Sequence, residues 1–199
     1  MMTTREILIN AARKLFGQMG ITNTTINDVA VESQKGRRTV YTYFKNKDEL
    51  LDAVIEEEMQ FVVSSLEQIM KQNMDPLNKF IAYTITRMNV IRTVVQRNGS
   101  LHSEFFRDVI KVELVRRKLE KIEVKNLKEI LKEGVEKNVF DISSLKGAAI
   151  FAHFIMRGID IPYIRGTFDD IKEGQDVALE RKIRILLQGI IKQPVSAII

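Results

Sequence analysis

Residues 36–44 concentrate guanidinium, hydroxyl and phenol side chains in one short stretch, Gly-Arg-Arg-Thr-Val-Tyr-Thr-Tyr-Phe. At helical spacing, Val40 and Phe44 lie on one side of this stretch and can face a core. The polar side chains then lie largely on the other sides: Arg37, Arg38, Thr39, Tyr41, Thr42 and Tyr43. Such groups hydrogen-bond to phosphate oxygens and base edges. The stretch is therefore a candidate nucleic-acid-binding helix, although a solvated basic helix end would also carry two arginines.

The charge distribution favours the first of these interpretations. The chain carries a net charge of +5, and residues 1–46 contain seven Lys or Arg and three acidic residues. The first 46 residues therefore hold +4 of the +5, and the other 153 residues hold +1. A basic N-terminal end on a nearly neutral body is typical of a protein whose one end faces nucleic acid.

The composition excludes several kinds of chemistry. The 199 residues include no cysteine, which rules out disulfides, thiolate metal sites and cysteine nucleophiles. The sequence also lacks the GxSxG, HExxH, GxGxxG and phosphate-loop patterns. We therefore expect no enzyme activity, no cofactor and no bound metal. A metal pair of His102 with Glu104 is conceivable, but a surface histidine explains His102 more simply.

The sequence gives no sign of membrane association or export. No apolar run approaches the roughly 20 residues that span a bilayer. The first residues, Met-Met-Thr-Thr-Arg-Glu, lack the apolar stretch and cleavage pattern of a secretion signal. We expect a cytoplasmic protein.

Apolar periodicity predicts three short helices in the first 46 residues. The first ends at Gly20, and the second begins after Thr25, which has the capping-box spacing with Asp28. The second helix ends near Ser33, and a three-residue turn precedes the basic stretch, as in a helix-turn-helix. Because Gln adopts positive φ poorly, we expect Gly36 rather than Gln34 to form the tight part of this turn.

The remainder of the chain also has helical periodicity, and we find no convincing strand. We predict helices over residues 47–72, 77–97, 101–110, 111–138, 144–160 and 175–192, with Ile161-Pro162 ending the fifth of these. The predicted fold is all-α with about nine helices. Its predicted domains are a helix-turn-helix domain over residues 1–46 and a helical domain over residues 47–199.

The order and spacing of the N-terminal motifs resemble the tetracycline-repressor (TetR) family of bacterial transcription regulators. The matching residues are Ala11, Ala12, Leu15, Phe16, Gly20, Thr24, Thr25, Ile26, Val29, Ala30, Thr39, Val40, Tyr41, Tyr43, Phe44, Lys45, Asn46, Lys47, Glu49, Leu50 and Leu51. In the body, Ile130, Leu131, Gly134 and Phe140 resemble the family's helix-to-loop pattern. The turn departs from the family pattern, because Gln34 stands where glycine is usual.

The resemblance implies a sequence-specific DNA-binding regulator, a ligand-responsive repressor acting as a homodimer with its recognition helix in the major groove. It implies a phosphate contact for Thr25 and for Lys47. It also places the arginines and Thr39 nearest the base edges, and Tyr41, Thr42 and Tyr43 at the backbone or bases. The alternative is a helical protein-interaction adaptor that binds no DNA.

A helix-turn-helix head needs a dimer to reach two half-sites. The resemblance implies that the last two helices pair with their symmetry mates. The predicted interface residues are Ala148, Ala149, Ala152, Ile155, Ile183, Leu186, Leu187 and Ile190. The alternative is that these side chains only fill the monomer core.

The resemblance also implies a small effector bound inside the body, with the helix over residues 47–72 as the lever that moves the heads. The candidate pocket residues are Phe61, Tyr83, Met88, His102, Phe105, Phe106, Phe151, Phe154 and Met156. Each of them fits core packing equally well. If they form a pocket, its apolar and aromatic lining predicts a hydrophobic or amphipathic effector.

Overall fold

The structure, a computed structural model, describes residues 2–99, 109–167 and 175–191. Within these ranges the chain forms eight α-helices and no strand, which confirms the all-α prediction. The helices are α1 Thr4–Met19, α2 Ile26–Glu32, α3 Arg37–Tyr43, α4 Lys47–Met70, α5 Pro76–Arg97, α6 Val109–Glu136, α7 Leu145–Ile164 and α8 Gln175–Leu187. The helix predicted over residues 101–110 lies almost entirely outside the described residues.

The chain divides into two compact units. The first contains Met1–Val62 and Thr93–Arg117, and the second contains Val63–Arg92 and Lys118–Ile199. This division differs from the predicted domain boundary at residue 46. The physical reason is that Leu50, Leu51 and Val54, at the start of α4, are buried in the same core as α1, α2 and α3.

The core of the first unit is built from one apolar stripe on each of its short helices. It contains Leu8, Ile9, Ala11, Ala12, Leu15, Phe16, Val29, Ala30, Val40, Phe44, Leu50, Leu51, Ala53 and Val54. α1 begins with a capping box in which the Thr3 side chain accepts from the Glu6 N–H and the Glu6 carboxylate accepts from the Thr3 N–H. It ends at Gly20, whose φ of 85° favours glycine.

In the second unit, the predicted end of α7 at residues 160–161 is wrong. The helix continues through Pro162 to Ile164. Pro162 has no N–H to donate to the Gly158 carbonyl, so the helix continues past it with that one hydrogen bond missing. Tyr163 is buried, and its hydroxyl donates to Asn89 Oδ1 at 2.5 Å, which holds that last turn in place.

The end of α6 depends on a close approach between Gly134 and Phe140. The N–H groups of Val139 and Phe140 both donate to the Gly134 carbonyl, at 2.7 and 3.2 Å, and Asn138 adopts a φ of 57°. A Cβ atom placed on Gly134 would lie 2.0 Å from Phe140 Cδ2. Glycine is therefore required there by the buried ring.

None of the described helices combines the length and the apolar character needed to cross a membrane.

Candidate nucleic-acid interface

α3 presents its polar side chains outward. Val40 is 0% exposed and Phe44 is 3% exposed, so the apolar side predicted from their spacing faces the core. Thr39 is half-buried. The exposed side chains of this segment are Arg37, Arg38, Tyr41, Thr42 and Tyr43. α3 is thus a short helix fixed from behind, with two guanidinium groups and two phenols on its solvent side.

Local contacts pre-position part of this surface. The Arg37 guanidinium lies 5.6 Å from the centroid of the Tyr41 ring, one helical turn away, and Nη2 donates to the Tyr41 hydroxyl at 3.4 Å. The Thr42 hydroxyl donates to the Arg38 carbonyl at 3.0 Å. Arg37 is therefore held along the helix, whereas the Arg38 side chain extends from an exposed position.

The turn between α2 and α3 differs from the expectation. Gln34 adopts a φ of 54°, and Gly36 has an ordinary extended conformation with φ −67° and ψ 145°. The expectation that Gly36 forms the tight part of the turn is wrong. The cause is a Schellman motif at the end of α2: the Lys35 N–H donates to the Ala30 carbonyl and the Gln34 N–H to the Val31 carbonyl. This motif requires a left-handed residue at position 34.

Gln34→Gly should therefore stabilise the protein. The left-handed conformation costs a non-glycine residue about 1–2 kcal/mol, and the extra freedom of an unfolded glycine offsets about 0.5–1 kcal/mol of the gain. We expect a net gain of up to about 1 kcal/mol in the free energy of unfolding, measured by urea denaturation. Lys35→Gly is the matched control in the same turn and should destabilise. Equal destabilisation by both variants would contradict this account of the turn.

At the start of α2, Thr25 and Asp28 form the predicted capping box. Thr25 Oγ1 accepts from the Asp28 N–H at 3.2 Å, and Asp28 Oδ2 accepts from the Thr25 N–H at 2.8 Å and from its hydroxyl at 2.7 Å. The hydrogen bond from the Thr25 hydroxyl, followed by that from the Thr25 N–H, lowers the pKa of Asp28 below its ordinary value. Thr25 is exposed, so its hydroxyl lies at the surface while it caps the helix.

Lys47, predicted to pair with a phosphate, makes contacts within the protein. Its Nζ donates to the carbonyl oxygens of Ile21, Thr24 and Thr22 at 2.6, 3.0 and 3.3 Å. An ammonium group has three N–H donors. All three are accounted for by the loop between α1 and α2. The phosphate contact stays a prediction.

A buried ionic cluster that the sequence analysis missed ties α1 to α4 and to the end of α5. The Glu58 carboxylate is 2.7 Å from Arg13 Nε and accepts from Arg97 Nε at 2.9 Å and Asn98 Nδ2 at 2.9 Å. A Cβ on Gly17 would lie 3.2 Å from the Asn98 carbonyl carbon, so α1 packs closely there. The sequence feature that could have indicated this cluster is Glu58, a charged residue at a position where the apolar stripe of α4 predicts an apolar side chain.

The predicted dimer-interface residues lie on α7, on α8 and just beyond it. Ala149, Ile183 and Leu187 are buried in the second unit, so the core-packing alternative describes them. Ile183 and Leu187 also line an apolar groove of about 140 Å³. The other predicted interface residues line the same groove: Ala148, Ala152, Ile155, Leu186 and Ile190. Phe151 also lines this groove and is 68% exposed, and Leu186 is 64% exposed. The open part of the groove therefore has a strongly apolar rim.

The predicted effector-pocket residues do not assemble into one site among the residues that the structure describes. Tyr83 and Met88 are fully buried, and Phe154 is exposed. Phe151 and Met156 line the groove between α7 and α8. Phe61 lies in the first unit, with the Arg97 guanidinium 4.3 Å from its ring centroid. The other predicted residues, His102, Phe105 and Phe106, lie outside the described residues.

The second unit contains a buried charge network that sequence reasoning also missed. The Arg87 guanidinium donates to Glu123 at 2.9 Å and to both oxygens of Asp160, and His153 Nδ1 lies 2.9 Å from Glu123 Oε2. Burial acts to raise the pKa of Glu123, but the hydrogen bond from His153 and the charge of Arg87 hold that pKa below its ordinary value. Burial raises the pKa of Asp160 despite Arg87. The network joins α5, α6 and α7 by charge pairing.

Comparison with known proteins agrees with this geometry. The family model described as bacterial regulatory proteins, tetR family, matches residues 8–54. YhgD, an HTH-type transcriptional regulator of Bacillus subtilis, is 42% identical over 50 residues, 25% of this chain and 26% of its own length. The "probable acrEF/envCD operon repressor" of Escherichia coli is 27% identical over 138 residues, 64% of this chain and 60% of its own length.

A similar fold is found in the transcriptional regulator FadR of Bacillus subtilis, solved in complex with stearoyl-CoA. The TM-score is 0.68 at 17% identity, and the superposition covers 92% of this chain and 98% of that chain. The match to the curated relatives thus spans between about a quarter and three fifths of their lengths, whereas the fold likeness spans nearly the whole chain. The helix-turn-helix part of this chain, residues 8–54, thus matches the tetR family of bacterial regulatory proteins.

Proposed function

We propose that this protein is a sequence-specific transcription regulator that binds operator DNA as a homodimer in the cytoplasm and is released by a small effector. The observation that carries the proposal is α3: two exposed arginines open a helix that Val40 and Phe44 fix to the core. The description of the E. coli relative as an operon repressor supports repression over activation.

The proposed DNA contacts divide by chemistry. A bidentate contact from arginine to guanine discriminates against the wrong base by about 1–3 kcal/mol. Contacts to phosphates add affinity without sequence information and weaken as salt rises. We assign the base edges to Arg37, Arg38 and Thr39. We assign the sugar-phosphate backbone or adjacent bases to Thr25, Tyr41, Thr42 and Tyr43.

The groove on α7 and α8 supports the homodimer. Large apolar side chains are exposed along both helices: Phe151, Phe154, Ile155, Ile161, Val177, Ile185 and Leu186. A monomer rarely exposes so extensive an apolar surface without an interaction partner. The groove volume of about 140 Å³ is well below the roughly 300 Å³ of a typical small-molecule pocket, which favours helix packing over ligand binding there. A second copy presenting the same surface is the partner we propose.

The double variant Phe151→Ala/Leu186→Ala should weaken the dimer and leave the monomer folded. Both side chains are more than half exposed, so their truncation costs the monomer little. Because a two-fold interface uses the same surface of both subunits, each substitution removes two side chains from it. We expect the dimer dissociation constant to rise about 10- to 100-fold. Analytical ultracentrifugation measures the change. Leu114→Ala truncates an exposed leucine on α6 and should leave the dimer unchanged, and an equal loss in that control would contradict the assignment.

The effector we propose is small and hydrophobic or amphipathic, bound within the second unit. The stearoyl-CoA bound to FadR supports an effector with an apolar portion. α4 contributes residues to both units, which makes it the element through which effector binding would alter DNA affinity. A helical protein-interaction adaptor remains the competing function, and it predicts no dependence on the α3 arginines.

Selection from a random-sequence duplex library tests the proposal. The wild-type protein should enrich a site with two related half-sites, and two chains should bind one duplex. Enrichment of no sequence over several rounds at moderate salt would contradict DNA recognition and leave the adaptor function. Thermal-shift screening with apolar compounds then tests for the effector, because a ligand that binds the native state raises Tm.

A further inference from the structure

Lys47 connects the two ends of the helix-turn-helix motif. It is the first residue of α4 and follows the end of α3 by a short segment. Its ammonium group reaches back over more than 20 residues of sequence to the loop that joins α1 to α2. There it donates to the carbonyls of Ile21, Thr22 and Thr24, the shortest contact being 2.6 Å to Ile21.

The loop is arranged around this ammonium group. The Thr24 side chain is 1% exposed, its hydroxyl donates to the Gly20 carbonyl at 2.7 Å, and its N–H donates to the Ile21 carbonyl at 3.4 Å. Three carbonyl oxygens of one loop therefore converge on a single cation. Without the Lys47 ammonium group, the three carbonyl oxygens would lie close together and lose their main hydrogen-bond donor. We therefore expect the loop to rearrange when that group is removed.

The residue after Thr24 is Thr25, which caps α2. On the other side of the contact, Asn46 Oδ1 accepts from the Glu49 N–H at 2.8 Å, and Glu49 accepts from the Lys45 N–H. The backbone between α3 and α4 is therefore fixed on its own side. Lys47 joins this fixed segment to the residue that precedes the α2 N-terminus.

We propose that Lys47 is a positioning residue: it sets the place of the α2 N-terminus relative to α3 and does not itself neutralise a phosphate. The proposal rests on the proposed DNA-binding function. Its physical basis is that all three ammonium donors already have carbonyl acceptors, so a hydrogen bond to phosphate would have to break one of them. Removal of the ammonium should then affect DNA binding through geometry.

Lys47→Met tests the proposal with the duplex selected by the wild-type protein and a shuffled duplex of the same length. We expect affinity for the selected duplex to fall at least about tenfold at a temperature where the variant is fully folded. Affinity for the shuffled duplex should change less than about twofold, and the slope of log K against log salt should stay at the wild-type value. Amide hydrogen exchange should accelerate at Thr25 and Asp28, which belong to the α2 cap.

Three comparisons make the result decisive. Arg38→Ala, at a proposed base contact, should weaken binding to the selected duplex without accelerating exchange at Thr25 and Asp28. Lys45→Met removes an equal charge from an exposed position two residues away and should leave exchange at Thr25 and Asp28 unchanged. Lys47→Arg should restore binding only in part, because a planar guanidinium cannot direct its donors to three carbonyls around one point.

Two outcomes would overturn the proposal while leaving the proposed function intact. One is a salt slope reduced by about 0.9 per site, with both duplexes weakened alike and full rescue by Lys47→Arg, which identifies a phosphate contact. The other is a lower Tm with unchanged affinity for the selected duplex, which identifies a purely structural lysine. If the wild-type protein selects no duplex, the proposed function itself fails, and the inference fails with it.

Discussion

Replacement of Arg37 and Arg38 together by alanine should lower affinity for the selected duplex at least about 100-fold, because two side chains that each supply about 1–3 kcal/mol of base discrimination are removed. Both guanidinium groups lie on the exposed side of α3, and neither side chain contributes to the core. The protein should therefore keep its fold and its oligomeric state. Fluorescence anisotropy at fixed salt measures the affinity, and circular dichroism checks the helix content.

A charge-matched variant separates base recognition from general electrostatics. Lys121→Ala/Lys128→Ala removes two positive charges from exposed positions on α6. It should weaken binding by less than about threefold, since charges distant from the duplex act only through a screened field. Similar losses in the two double variants, or unaltered affinity in the arginine variant, would contradict the assigned surface.

Gly134→Ala should destabilise the protein by about 1–3 kcal/mol or more, because overpacking of a well-packed site forces side chains and backbone to shift. The added methyl group would lie 2.0 Å from Phe140 Cδ2 and 2.4 Å from Cε2, and the ring is buried. The backbone offers no easy escape, since the Gly134 carbonyl accepts from both Val139 and Phe140. Urea denaturation followed by circular dichroism measures the loss.

The Phe140→Ala background provides the control for this prediction. Removal of the ring costs stability by itself, but it also removes the overlap. Gly134→Ala added to Phe140→Ala should then be neutral or stabilising by up to about 1 kcal/mol, as expected for alanine in place of glycine in a helix. Additive destabilisation in the double variant would show that the ring is not the cause.

The head of the molecule could be predicted from sequence because each of its features is local. The spacing of Val40 and Phe44 predicted which side of α3 is buried, and the Thr25–Asp28 spacing predicted the cap, and both predictions are confirmed. The turn was predicted wrongly because residue preference was weighed without hydrogen bonding. The Schellman motif imposes a positive φ at Gln34 whatever side chain is there.

The body could be predicted only as a set of helices, because its functional features depend on which helices meet. Phe151 and Tyr83 have similar sequence contexts, yet one is exposed on α7 and the other is fully buried. The pairing of Glu123 with Arg87 and His153 joins residues up to 36 positions apart, and no local pattern specifies it. The proline in α7 was given too much weight, because the buried Tyr163 and its hydrogen bond to Asn89 hold the helix past it.

Chemical protection of the selected duplex is the most direct test of the central claim that α3 reads bases in the major groove. Dimethyl sulfate methylates guanine N7, an acceptor that lies in the major groove and that arginine contacts in a bidentate pair. We predict two groups of protected guanines about one helical turn apart or a multiple of it, and loss of that protection in the Arg37→Ala/Arg38→Ala variant. Bound duplex with every guanine N7 still reactive, or protection that survives the variant, would contradict the claim.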